Sequence, residues 1–399
     1  MVLGESKTIE KLFYRLSFVK KIIMRPLNMV DLKSQYKKIK PQVDTAIQSV
    51  IDSTQFIKGD AVKEFQNELA DYLNIKHVVA CGNGTDALQI AMMAFGLKPG
   101  DEVITTNFTF IATVEVIALL GLKPVLVDVY PDTYNINIEE IKKAITPKTK
   151  AIVPVHLFGQ CANMEQIMKF ADKHNLFVIE DNAQAIGADY TFKNGTTKKA
   201  GTIGHIGCTS FFPSKNLGCY GDGGALFTND DEFAEKISSI VNHGMKVRYY
   251  HDRIGINSRL DTIQAAVLRV KLPQLDNYCK ARHKAATFYN NAFEGIAEIE
   301  TPKTDSFTTH VYHQYTLKIK NGDRDNLKLW LNEHGIPAMV YYPVPLHEQK
   351  AFDDFKDSSK KFPITQMLSN EVISLPMHTE LDDEQLNFIT KTVIEFFNK

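Results

Sequence analysis

Ser210-Phe-Phe-Pro-Ser-Lys215-Asn-Leu-Gly-Cys-Tyr-Gly-Asp-Gly-Gly224 sets one lysine among small, aromatic and glycine residues. It opens at the end of a strand expected over Gly207 to Phe212. Upstream, Leu176-Phe-Val-Ile-Glu-Asp181 reads as an apolar strand ending in acid, followed by Asn-Ala-Gln184. A lysine able to form a Schiff base and an acid at a strand end are what pyridoxal phosphate requires. The lysine holds the aldehyde, and the acid keeps the pyridine nitrogen protonated so that the ring acts as an electron sink. Neither element is specific alone. A solvated loop lysine and a capped turn after a strand are the ordinary readings of Lys215 and Asp181.

A candidate phosphate site lies further upstream. Lys76-His-Val-Val-Ala-Cys81 reads as a strand, Gly82-Asn-Gly-Thr85-Asp86 follows, and Ala87, Leu88, Ile90, Ala91, Ala94 and Phe95 then recur at helical spacing. Free N–H groups and the helix dipole at such a junction favour a phosphate, and glycine lets the backbone come close. Taken by itself, Gly-Asn-Gly-Thr is an ordinary turn with Thr85 as N-cap. Three such elements in order favour a cofactor site.

Asn83-Gly-Thr-Asp86, Thr109-Phe-Ile-Ala-Thr113, Pro154-Val-His-Leu-Phe-Gly159, Ile179-Glu-Asp-Asn-Ala-Gln184, the Ser210–Gly224 run and Gly255-Ile-Asn-Ser-Arg-Leu-Asp261 together resemble the DegT/StrS family of sugar-nucleotide aminotransferases. The resemblance runs in order from about Met29 to the C-terminus. It implies pyridoxal-phosphate fold type I and a homodimer with shared active sites. It also implies a keto-sugar nucleotide that receives an amino group from L-glutamate.

The resemblance assigns roles residue by residue. Lys215 matches the Schiff-base lysine that also moves the proton, and Asp181 the pyridinium partner. Gln184 matches the residue that bonds the ring hydroxyl, and is otherwise a polar loop residue. Gly84, Thr85 and Ser210 match phosphate ligands, and Asn257 the phosphate ligand given by the other subunit. Phe110 matches the aromatic stacked on the pyridine, and is otherwise core. Arg259, His313, Tyr341 and Tyr342 are the substrate-binding candidates. Arg248 and Arg253 read equally as a solvated basic loop. Many family members carry His-Tyr-Pro where this chain has Tyr341-Tyr342-Pro343, so a titrating imidazole is not available at Tyr341. The loop from Arg248 to Ala266 most resembles the subgroup acting on UDP-2-acetamido-2-deoxy-3-oxo-glucuronate, with dTDP-3-keto-6-deoxyhexose enzymes as runner-up. A lysine at 215 argues against a dehydratase relative that has histidine there. A non-catalytic regulator, and an amino-acid aminotransferase with an arginine for a second carboxylate, are the remaining alternatives.

Composition fits this reading. The 399 residues, 44% of them hydrophobic, can bury a large core. Lysine plus arginine number 46 against 47 acids, which gives no argument for nucleic acid or a membrane surface. The five cysteines, Cys81, Cys161, Cys208, Cys219 and Cys279, form no metal or disulfide pattern and fit a reducing cytoplasm. No metal is expected, and no apolar run is long enough to span a bilayer.

Residues 1–28 read as an N-terminal extension, in which Lys7, Lys11, Arg15, Lys20, Lys21 and Arg25 alternate with apolar residues. An amphipathic surface helix is one reading. The other is an upstream extension, since Met24 and Met29 are both plausible starts. From Val30, strands and helices alternate. Helices are expected over Lys33 to Ile51, Asp60 to Leu73, 85–96, 111–120, 138–144 and 163–174, with strands over 77–81, 102–105, 124–128, 151–156 and 176–180. Short apolar strands of this kind belong to a doubly wound, mostly parallel α/β sheet, whose ligands bind at the strands' carboxyl ends. The expected division is a large domain over 29–272 and a small C-terminal α+β domain over 273–399. The boundary lies in a helical stretch from Leu260 to about Phe293, broken near Pro273. Beyond it, strands are expected at His310 to Leu317, Ala338 to Tyr342 and Glu371 to Leu375. Helices are expected from Arg324 to His334 and from Asp382, as N-cap, to Phe397.

Overall fold

A computed structural model describes residues 25–357 and 359–398. Most of the proposed N-terminal extension, residues 1–24, lies outside the described residues. Arg25 lies within them, and its guanidinium bonds Asp382 at 2.8 Å and the carbonyl of Glu380 at 2.6 Å.

The strands are β1 His77–Cys81, β2 Glu102–Thr106, β3 Lys123–Val127, β4 Thr149–Val153, β5 Phe177–Asp181, β6 Asp189–Thr191, β7 Thr197–Lys199, β8 Ile206–Ser210, β9 Gly224–Thr228, β10 Met245–Val247, β11 Tyr250–His251, β12 Ile299–Glu300, β13 Tyr315–Ile319 and β14 Val372–Leu375. Among them run α1 Leu32–Ser53, α2 Asp60–Leu73, α3 Gly84–Ala94, α4 Ala112–Leu119, α5 Ile138–Ala144, α6 Met164–His174, α7 Asp231–Ile240, α8 Thr262–Lys271, α9 Leu275–Phe293, α10 Arg324–Glu333, α11 Pro363–Glu371 and α12 Asp383–Phe397.

Seven strands form the main sheet in the order β1-β9-β8-β5-β4-β2-β3. All pairs are parallel except those of β9, which runs antiparallel to both β1 and β8. Alternation along the strands fills both faces. Val103, Ala151, Ile179 and Ile206 point into one core, and Ile104, Ile152 and Val178 into the other. A second sheet, β12-β13-β14, packs with α9, α10 and α12 around Tyr289, Leu317, Leu327 and Ile389.

Register sets the site. Asp181 pairs with Cys208, Ser210 with Gly224, and Gly224 with Cys81. The ends of β1, β5 and β8 therefore share one edge of the sheet, which is where an open α/β sheet holds its ligand.

Three expectations change. Thr85 is not the N-cap of α3. Asn83 is, with its side chain accepting from Asp86 N at 2.8 Å, so Thr85 begins inside the helix. The expected strand from His310 shrinks to β13, which starts at Tyr315. Residues 310–313 pair with the 158–160 loop instead, through Val311 N to Gly159 O at 2.8 Å and a bridge from Gln160 to His310. The expected strand over 338–342 reduces to one bridge, Met339 to Ser374, because Pro343 and Pro345 cannot donate to a ladder and restrict the residues before them. The expected helix break near Pro273 is present, as a short 3₁₀ turn, Leu272–Gln274.

Candidate active site

One end of the site is built from three glycines and a helix terminus. α3 begins at Gly84 behind the Asn83 cap. A Cβ on Gly84 would lie 2.7 Å from the Ser210 Cβ, and one on Gly224 would lie 2.5 Å from the Asn83 carbonyl. Only glycine lets the three segments meet, and the meeting leaves the N–H groups of α3 and the hydroxyls of Thr85 and Ser210 at one sheet edge. Gly82 N donates to Ser258 Oγ at 2.8 Å, which brings the Asn257–Arg259 segment beside this cradle. Asn257 is exposed and Arg259 half-buried.

The other end holds Asp181 and Lys215. Asp181 is 5% exposed. Its carboxylate accepts from the Thr113 hydroxyl at 2.7 Å and from Ala183 N at 3.2 Å. Burial pushes its pKa up, against the pull of those two donors and of the Lys215 and His156 side chains. Burial pushes the Lys215 amine down to about 8, with the Asp181 charge opposing. Each group is thus held toward its neutral form by the same water-poor pocket. His313 is 7% exposed, and its Nδ1 has no hydrogen-bond partner among the described residues. Burial, then the cations of Lys215 and Arg282, drive its pKa well below the usual range, so this ring is neutral.

Gln184 is buried, with both ends of its amide engaged. Its Oε1 accepts from Phe158 N at 2.7 Å, and its Nε2 donates to Tyr342 Oη at 3.1 Å. One Nε2 hydrogen is left over. Phe110 is 55% exposed, not core, and its ring centre lies 6.4 Å from that of Tyr342. Tyr341 and Tyr342 are both half-buried. The structure therefore gathers Lys215, Asp181, Gln184, Phe110, His313 and Tyr342 toward one end and Gly84, Thr85 and Ser210 at the other. In the basic loop, Arg253 lies 3.6 Å from Glu235, and Arg248 lies over the Tyr249 ring at 5.0 Å.

Two parts of the site carry no assignment from sequence. Thr113 lies in a quoted motif, yet only the fold aims its hydroxyl at Asp181. Behind Asp181, Glu180 and His156 form a pair with no exposed side-chain area, at 2.7 Å. Glu180 also accepts from the N–H groups of Gly201 at 3.0 Å, Ile203 at 2.6 Å and Gly204. His156 Nδ1 accepts from Ala162 N at 3.1 Å, so Nε2 carries the proton given to Glu180. A polar pair at the end of an apolar strand is the only sequence signal for it.

The arrangement fits a phosphorylated pyridine aldehyde. It has an anion cradle closed by glycine, an amine of lowered pKa, a buried carboxylate and an aromatic flank. Among the described residues, no group of three His, Cys, Asp or Glu side chains is placed to hold a metal, and no helix is long and apolar enough to cross a membrane.

A family model described as the DegT/DnrJ/EryC1/StrS aminotransferase family matches residues 37–394. A pleiotropic regulatory protein of Geobacillus stearothermophilus is 48% identical over 92% of this chain and 98% of its own length. The UDP-2-acetamido-2-deoxy-3-oxo-D-glucuronate aminotransferase of Pseudomonas aeruginosa is 46% identical over 91% of this chain and 98% of its own. Among solved structures, DesV of S. venezuelae in complex with a ketimine intermediate superposes with a TM-score of 0.89. It is 36% identical and covers 94% of this chain and 99% of its own.

Proposed function

The chain belongs to the DegT/DnrJ/EryC1/StrS aminotransferase family, whose members are pyridoxal-phosphate transaminases of sugar nucleotides; from that premise we propose that it aminates C3 of a UDP-linked 2-acetamido-3-keto-uronate. L-Glutamate is the amino donor in this reading, and the working form is a homodimer in the cytoplasm. The product supplies surface-polysaccharide or modified-sugar biosynthesis. The observation that carries the enzymatic part is one site holding both the half-buried Lys215, with its pKa lowered to about 8, and the buried Asp181. A regulator that only kept the fold has no use for an amine poised in this way.

Pyridoxal phosphate, when bound, supplies an aldehyde for amine exchange and a ring that stores an electron pair. Gly84, Thr85 and Ser210 would hold its phosphate through N–H and hydroxyl groups, and Asn257 of the partner subunit would complete that shell. Asp181, aligned by the Thr113 hydroxyl, would be the partner of the ring nitrogen and would hold a proton there. The free Nε2 hydrogen of Gln184 would serve the ring hydroxyl, and Phe110 would flank the ring. Lys215 Nζ takes the proton from the α-carbon of glutamate, and in the second half-reaction delivers one to C3 of the sugar. Both half-reactions use the same amine, so the kinetics are ping-pong.

The uronate rests on the Pseudomonas relative and on Arg248 and Arg259, neither of which has a recorded carboxylate partner among the described residues. Arginine binds carboxylate and diphosphate alike through paired N–H groups. His313, Tyr341 and Tyr342 complete the sugar pocket. A coupled assay tests this by offering the UDP-linked 3-keto uronate, its C6-alcohol counterpart and dTDP-linked 3-keto-6-deoxyhexoses with glutamate. The uronate should show the highest kcat/KM, and a preference for a deoxyhexose would replace the uronate reading.

A further inference from the structure

α8 and α9 meet at the Leu272–Gln274 turn, and each sends one buried cation to backbone carbonyls. Lys271 is 1% exposed; its Nζ donates to the carbonyl of Gly218 and lies 5.5 Å from the centre of the Tyr220 ring. Arg282 is 3% exposed, and its Nη1 donates to the carbonyls of Tyr312 at 3.1 Å, His313 at 3.3 Å and Met377 at 3.0 Å. The recorded partners of both are carbonyl oxygens and a ring face, not carboxylates.

Burying an ammonium costs several kcal/mol of lost hydration. One carbonyl and one aromatic face restore only part of that, and burial accordingly pushes the Lys271 pKa down to about 8. A methionine of similar length would fill the same space without the penalty. What hydrocarbon cannot supply is the bond to Gly218.

Gly218 closes the turn that carries Lys215. A Cβ on Gly218 would lie 2.4 Å from the Pro213 carbonyl, so the chain has folded back on itself there. Lys215 N donates to Phe212 O at 2.8 Å, and Cys219 N closes the base of the turn on Phe211 O at 2.8 Å. Lys215 is therefore near the tip of a closed turn, and Lys271 grips its base. Gln264, on the same helix, brackets the next residues: its Oε1 accepts from Tyr220 N at 2.8 Å and its Nε2 donates to Tyr220 O at 3.3 Å. On the far side, Asn216 Nδ2 donates to Val311 O at 3.1 Å, in the segment that carries His313 and that Arg282 holds.

We propose that Lys271 is a positioning residue for transamination: reaching from α8, its donor to Gly218 fixes the turn that aims Lys215 at the reacting carbon. It touches neither substrate nor cofactor. The proposal rests on Lys215 being the reactive lysine.

The test compares Lys271→Met, which removes the donor, with Lys271→Gln, which keeps a neutral one. Three quantities are read: the rate at which cofactor-free protein captures pyridoxal phosphate as a lysine imine, the visible circular dichroism of the bound cofactor, and the kcat and KM of the glutamate half-reaction. Misplacing a reacting group by about 1 Å can cost on the order of 10²-fold. The methionine variant should lose at least about tenfold in capture rate and in kcat, with a changed dichroism band and a donor KM within about twofold of wild type. The glutamine variant should recover most of the loss. Thermal unfolding of the cofactor-free variants shows that they are folded; if the methionine variant is not, Gly218→Ala, which displaces the same carbonyl, takes its place and should give the same losses. Wild-type capture and dichroism in the methionine variant would overturn the proposal, leaving Lys271 a packing residue. Equal losses in both variants would also overturn it, since the donor would then not matter. Borohydride labelling of a lysine other than Lys215 would overturn it together with the reading beneath it.

Discussion

Glu180 and Asp181 are consecutive residues of β5 whose carboxylates serve opposite faces of the sheet. Glu180 turns to His156 and to the N–H groups of Gly201, Ile203 and Gly204, while Asp181 takes the Thr113 hydroxyl at the site. Strand alternation makes this division. The same backbone that aims Asp181 inward is braced from behind, because His156 N donates to Asp181 O at 3.0 Å while its ring bonds Glu180.

The first prediction is one of stability. Burial works against the Glu180 charge, but His156 and the backbone donors outweigh it, so the pKa lies below the usual glutamate value. A depressed carboxylate contributes stability above its unfolded pKa and loses it as pH falls through the folded one. Denaturant unfolding should show that loss below about pH 4. Glu180→Gln should cost about 3 kcal/mol at neutral pH and flatten the acid slope. An unchanged unfolding midpoint would show that the pair is not a brace.

The second concerns the electron sink. Asp181→Asn should keep the cofactor, whose phosphate cradle is intact, and lose on the order of 10²–10⁴ in kcat, the usual scale for a proton-holding partner. Single-turnover mixing with glutamate measures it. Near-normal turnover would mean that another acid meets the pyridine nitrogen.

A pH effect follows from Lys215. In the cofactor-free protein its pKa is about 8, against 10.5 for a free lysine. The neutral amine is the nucleophile, so the rate of imine formation with added pyridoxal phosphate should rise with pH and level off above about 8. Between the two pKa values the unfolded chain binds the extra proton, so cofactor-free stability should also rise with pH across that window. Lys215→Met should abolish capture and make the stability slope shallower without removing it, because Lys271, also lowered to about 8, keeps its own share; a capture rate still climbing toward the free-lysine range would contradict the lowered pKa.

Assembly has its own test. If Asn257 serves the other subunit's phosphate, mixing Lys215→Ala and Asn257→Ala proteins under subunit exchange should restore activity, because mixed dimers carry one site free of both defects. No recovery despite demonstrated exchange would place Asn257 in its own subunit's site.

Much of this fold is legible in the chain, because β1 to β5 are short apolar runs with clear boundaries and strand ends locate the site. Gly224-Ala-Leu-Phe-Thr228 is a harder case. It follows a glycine-rich loop that blurs its start, and its antiparallel insertion between β1 and β8 depends on contacts far apart in sequence. The 310–313 segment carries strand-forming residues but is claimed by the 158–160 loop. Within the site, the placement of Lys215, Asp181 and the glycines at or just past strand ends follows from local pattern, while the roles proposed for them come from the family resemblance. Lys271 and Arg282 do not, since nothing local separates a buried lysine or arginine in an amphipathic helix from a solvated one.

The most direct measurement of the central claim is chemical. The protein loaded with pyridoxal phosphate is reduced with borohydride, digested and mapped by mass spectrometry. The pyridoxyl group should be found on Lys215 and should disappear when glutamate is added before reduction, as the lysine amine leaves the cofactor. A label on another lysine, or a Lys215 label that glutamate does not discharge, would contradict that claim.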